Sequence, residues 1–133
     1  MTISVILADD HAMFRQGLAP LLEAGHECEL LAQAANGCEA LELIEALQPD
    51  VAIVDISMPE MTGIEVAQKT VNAGFRTRVI VLTMHEDPYA ALQAQEAGAA
   101  GYVLKDNTFE ELVIAVRTVA VGGTFVTPSV QAK

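Results

Sequence analysis

Apolar runs of strand length recur along this chain, and each is followed by a segment with helical spacing. The strand candidates are Ile3 to Ala8, Cys28 to Ala34, Val51 to Val54, Val79 to Leu82 and Gly101 to Leu104. Several are apolar at every position rather than every second one, so both faces of their sheet must be covered. Parallel neighbours need a crossover long enough to hold a helix, and strands alternating with helices supply one. The expectation is an α/β domain with a doubly wound, five-stranded parallel sheet and five helices. A chain of 133 residues suits one such domain, burying roughly two-thirds of its unfolded surface.

The helix starts are marked. Asn36 precedes Glu39 by three residues, as Thr62 does Glu65 and Thr108 does Glu111, which is the spacing of a capping box. Asp87 followed by Pro88 offers an N-cap with proline at the first helical position. In the last helix Phe109, Leu112, Val113, Val116 and Val119 form a core-facing stripe. The first helix, about Ala12 to Glu23, contains Pro20, which removes a backbone bond at a cost of roughly 3 kcal/mol and predicts a kink or an early end. The fourth, about Pro88 to Ala97, offers only Tyr89 and Leu92 as large apolar groups among alanines, so it is expected to pack shallowly and to move easily.

Charge and composition narrow the function. Eighteen acids against seven bases give a net charge of −11, and the basic residues are scattered, which argues against direct nucleic-acid binding. No apolar run approaches the ~18 residues of a membrane span, and no secretion signal opens the chain, so a soluble, cytoplasmic protein without membrane contact is expected. Cys28 and Cys38 make no CxxC motif and read as reduced apolar residues. His26 reads as a surface loop residue and His11 as a solvent-facing one at a helix start.

In open α/β sheets the working groups lie beyond the carboxyl ends of the strands. Asp9 and Asp10 follow the first strand, Asp55 ends the third, Thr83 the fourth, and Lys105 follows the fifth. In the flavodoxin-like order 2-1-3-4-5, strands one and three are neighbours, which brings Asp10 and Asp55 to within about one strand spacing, ~4.8 Å. The chain bends out of the strand at Asp9, so pleat alternation no longer separates the two adjacent acids. Lys105 starts roughly 10 Å from Asp55 at the backbone, a gap its stem can largely cover. Three carboxylates and one ammonium leave about −2, which a hard divalent cation with oxygen ligands, magnesium above all, would neutralise. Taken singly, each residue has an ordinary reading. Asp10 caps the first helix, Asp55 is a loop acid, Thr83 and Lys105 are solvated strand ends, and Tyr102 packs partly buried.

Together, "DD" at 9 and 10, "DISMPEMTG" from Asp55 to Gly63, "LT" at 82 and 83 and "GYVLK" from 101 to 105 resemble the response-regulator receiver domain over almost the whole chain. The resemblance implies that Asp55 is phosphorylated by a sensor histidine kinase. It implies that Asp10, Asp55 and the Ser57 carbonyl bind Mg2+, with Asp9 acting through water, and that Lys105 offsets phosphoryl charge. It further implies that Thr83 bonds the phosphoryl group and vacates space into which Tyr102 swings, reshaping the surface of the fourth helix, fifth strand and fifth helix. Two residues depart from the pattern. Asp106 stands where a proline commonly follows the lysine, and a cis bond without proline costs roughly 3 kcal/mol. Met84 is larger than the family's usual residue and narrows the way to the pocket, while His85 and Ser57 flank the site.

"DDHAMFRQGL", "LTMHED", "GYVLKD" and "GGTFVTP" resemble the branch that carries a C-terminal LuxR-type helix-turn-helix domain. On that resemblance residues 1–121 are the receiver and 122–133 begin a linker to an output domain absent from this chain, which would regulate transcription, bind DNA and dimerise on phosphorylation. A stand-alone receiver is the variant reading. The competing classes are a magnesium-dependent phosphohydrolase with Asp55 as nucleophile, which would be expected to carry an acid where Ser57 stands, and a flavodoxin-like cofactor binder, whose phosphate loop after the first strand is not found.

Overall fold

The structure is a computed structural model that describes residues 2–25, 27–85, 87–106 and 109–127. The expectations for His26 and for Thr108 as a cap lie outside the described residues. The chain runs β1 (Ile3–Ala8), α1 (Ala12–Ala24), β2 (Cys28–Ala34), α2 (Gly37–Leu47), β3 (Val51–Asp55), α3 (Gly63–Asn72), β4 (Arg78–Thr83), α4 (Pro88–Glu96), β5 (Gly101–Leu104), α5 (Phe109–Ala120) and β6 (Phe125–Val126). The strands form one parallel sheet in the order β2-β1-β3-β4-β5-β6. The fold is the flavodoxin-like one expected, with one short strand added. Phe125 and Val126, read from sequence as linker, pair with Gly101 and Tyr102. The Thr127 hydroxyl accepts the Leu104 N–H at 3.1 Å.

Residues of α1 and α5 bury one sheet face, where Val5, Leu7, Val51, Ile53, Ile80 and Leu82 meet Leu18, Leu22, Leu112, Val116 and Val119. Residues of α2, α3 and α4 cover the other, where Ile6, Ala52, Val54, Val79 and Val81 meet Ile44, Val66, Ala91 and Ala94. Every residue of β3 is buried, as an interior strand covered on both faces must be.

The caps form as their chemistry dictates. Thr62 and Glu65 make the full reciprocal box, Asn36 accepts the Glu39 N–H, and Asp87 accepts those of Tyr89 and Ala90. Of the kink or early end expected at Pro20, the early end does not occur, since α1 continues to Ala24. Pro20 and Gln16, whose carbonyl loses its partner, are both exposed, so the missing bond falls on the side open to solvent. Helix α4 packs more thinly than expected. It buries only Ala91 and Ala94, while Tyr89 and Leu92 face outward. Among the described residues both cysteines are free, and no helix is long and apolar enough to cross a membrane.

Candidate functional site at the carboxyl edge of the sheet

Asp9 leaves β1 still on the ladder, its N–H bonded to the Ala34 carbonyl at 3.0 Å, and its side chain is fully buried. The chain then turns, because one Asp9 carboxylate oxygen accepts the His11 N–H at 2.8 Å. His11, rather than Asp10, becomes the N-cap of α1, so the capping role considered for Asp10 is not the one it plays.

Asp55 closes β3 and is 2% exposed. Its position depends on Gly63 at the start of α3. A Cβ on Gly63 would lie 2.5 Å from the Asp55 carbonyl oxygen, so only glycine lets the helix begin so close to the acid. The Ser57 N–H reaches Asp55 Oδ1 at 3.3 Å, turning the loop back over the carboxylate.

Lys105 follows β5, held by its N–H on the Thr83 carbonyl at 2.7 Å. Its stem crosses the strand ends as expected, and its side chain is only 5% exposed. Nζ lies 2.7 Å from Asp9 Oδ2 and 3.3 Å from Asp55 Oδ2. The nearer partner is thus Asp9, and the lysine bridges the two buried acids. Burial is the largest influence on Asp55 and pushes its carboxyl above the usual range. The Asp9 charge adds to this, and Lys105 pulls the other way.

The sequence puts His11 in solvent, and its side chain is indeed 63% exposed. Its Nδ1 nonetheless lies 3.0 Å from Asp9, 3.3 Å from Asp10 and 3.8 Å from Asp55. No sequence period reports this, because it depends on the turn that Asp9 itself makes. One ligand atom each from Asp9, Asp10, His11 and Asp55 lie within 4.8 Å of one another. Three carboxylates at such spacing are a hard-oxygen donor set that suits Mg2+.

Thr83 ends β4, 2% exposed, and its hydroxyl accepts the His85 N–H at 3.2 Å. Tyr102 is 1% exposed among the residues under α4, so its ring already occupies the interior position that the switch reading required it to enter. Its hydroxyl faces Thr83 without a well-formed hydrogen bond. Burial raises its pKa, and the Thr83 side chain lowers it. Met84 is half exposed and His85 exposed beside the site. The peptide between Lys105 and Asp106 is trans. Phe14 escaped the sequence reading altogether. Its ring centroid is 4.3 Å from the Lys105 nitrogen.

Buried acids bridged by a lysine beyond the carboxyl ends of a doubly wound parallel sheet mark an α/β domain with its polar cluster at the edge where such sheets hold their working groups. The family model for the response regulator receiver domain matches residues 5–117, and the chain belongs to that family. A Mycobacterium tuberculosis protein named as transcriptional regulatory protein NarL is 40% identical over 127 residues, covering 96% of this chain and 59% of the relative. The transcriptional regulatory protein DegU of Brevibacillus brevis is 35% identical over 128 residues, covering 96% and 54%. The chain therefore spans little more than half the length of these relatives. Among solved structures, the signal receiver domain of the M. tuberculosis response regulator NarL superposes with TM-score 0.88 at 40% identity, covering 91% of this chain and 98% of that one. A LuxR-family two-component response regulator from Aurantimonas sp. SI85-9A1 gives 0.94 at 32% identity, covering 99% and 94%.

Proposed function

We propose that this domain is a phosphorylation-operated switch in which Asp55 takes a phosphoryl group from a sensor histidine kinase. The observation that carries the reading is a carboxylate 2% exposed with a lysine ammonium 3.3 Å away. An Asp55 oxygen attacks the phosphorus of a phosphohistidine in line. The new P–O bond forms as the P–N bond breaks, and the imidazole leaves with its electron pair and gains a proton from solvent. Lys105 turns from Asp55 toward the phosphoryl oxygens and offsets their charge. Asp10, Asp55 and the Ser57 carbonyl would hold Mg2+, with Asp9 acting through water. When bound, the ion would neutralise charge on phosphate and carboxylates.

Thr83, released from the His85 N–H, then bonds the phosphoryl group. Because the Tyr102 ring is already inside, the relay works by fixing it there beneath α4. Moving such an equilibrium from 1:99 to 99:1 needs roughly 5.5 kcal/mol of differential stabilisation, which several charge-assisted contacts can supply. The changed surface of α4, β5 and α5 would favour a homodimer. In the full-length protein it would act on transcription through a C-terminal DNA-binding domain, to which residues 122–133 begin the connection. Within that stretch Phe125 and Val126 pair with β5. The names of the relatives support this output.

Incubation with acetyl phosphate and Mg2+ tests the core of the reading. The wild type gains one phosphoryl mass and Asp55→Asn gains none. Labelling that persists in Asp55→Asn rejects the assignment, and rapid turnover of an unrelated phosphomonoester would favour a hydrolase instead.

A further inference from the structure

An ammonium has three N–H donors and, when buried, needs a partner for each. The Lys105 side chain is 5% exposed, and the carboxylates of Asp9 and Asp55 take two sides of its ammonium. On a further side stands the face of Phe14, 4.3 Å from nitrogen to centroid, inside the range over which an aromatic ring attracts a cation. Phe14 sits in the first turn of α1, one turn beyond Asp10, so the helix that begins at the acids also delivers the ring. Phe14 and Lys105 line one cleft of about 430 Å³ with Met13, Leu21 and Phe109. The ring and the lysine therefore share one wall of that cleft.

We propose that Phe14 is a positioning residue for phosphoryl transfer, holding the Lys105 ammonium over the acids through its π face. A ring attracts a cation without the narrow angular demand of a hydrogen bond. The ammonium can thus turn from Asp55 toward a phosphoryl oxygen while keeping that attraction. An aliphatic side chain of similar bulk would fill the space and supply no such field. The proposal rests on the reading of Asp55 as phosphoacceptor, and its test separates the two.

In carbon–proton NMR spectra of the wild type, the Lys105 ε-protons resonate upfield of those of the other lysines, shifted by the ring. Phe14→Leu removes that shift and Phe14→Tyr keeps it. With acetyl phosphate and Mg2+, Phe14→Leu is labelled about tenfold more slowly, the factor equivalent to about 1.4 kcal/mol, and Phe14→Tyr recovers most of the rate. Phe14→Met replaces the leucine variant if that chain fails to fold. An unshifted Lys105 signal in the wild type overturns the proposal. So does a wild-type labelling rate in folded Phe14→Leu, or a slow rate that Phe14→Tyr does not recover. Failure of the wild type to accept phosphate would instead strike at Asp55, leaving the NMR signal to decide whether ring and ammonium meet.

Discussion

Helix α5 buries Leu112, Ala115, Val116 and Val119 against the sheet, whereas α4, on the opposite face, buries only Ala91 and Ala94. A fully buried Leu or Val contributes about 1.5–3 kcal/mol, and an alanine far less. Both helices flank β5, the strand that carries Tyr102 and ends before Lys105. One is anchored and the other rests lightly, so α4 is the helix that the proposed switch would shift without unfolding the domain. Elements that must move are drawn from the weakly packed end of a structure. A cavity of about 210 Å³ lies at this thin interface, lined in part by Ala94, Tyr102 and Val126.

Truncating the anchor breaks the contrast most severely. Leu112→Ala is expected to cost about 3 kcal/mol in chemical denaturation, the usual penalty for deleting a buried leucine side chain. Filling the thin interface comes next. Ala94→Leu overpacks a fully buried position, costs about 2 kcal/mol, and speeds hydrogen exchange in α4 with little effect in α5.

The third effect concerns the acid itself. Asp55 has a folded-state pKa above its unfolded one, so its ionised form weakens the fold above the folded pKa, and the penalty disappears below the unfolded pKa. In chelator, Asp55→Asn should melt several degrees higher than the wild type at neutral pH. The gap should close as the solution is acidified through the folded-state pKa. A gap that widened in acid would mean that Asp55 stabilises the fold when charged. The smallest effect belongs to Leu92→Ala, which exposes little new surface and should stay within about 0.5 kcal/mol of wild type.

Strand-length runs set off by helical segments are enough to place β1, β2 and β5 to the residue, although β2, at the sheet edge, is buried only at its two ends. The strand-end rule likewise located Asp9, Asp10, Asp55, Thr83 and Lys105 at one edge. What escaped depends on geometry that no periodicity carries. A strand of two residues, Phe125–Val126, has no alternation to read and follows two glycines. The approach of His11 depends on a hydrogen bond to Asp9, and that of Phe14 on how far the Lys105 stem reaches across the strand ends toward α1. The inward ring of Tyr102 depends on the alanines opposite it, which the sequence displays without saying where they face.

The central claim is that the carboxylate buried at the end of β3, and neither acid after β1, receives the phosphoryl group. Borohydride reduces an aspartyl phosphate to homoserine, so treatment of the acetyl phosphate-labelled protein followed by peptide mass analysis reads the position directly. Homoserine at residue 55 is the predicted result. Homoserine at residue 9 or 10, with Asp55 intact, would contradict it.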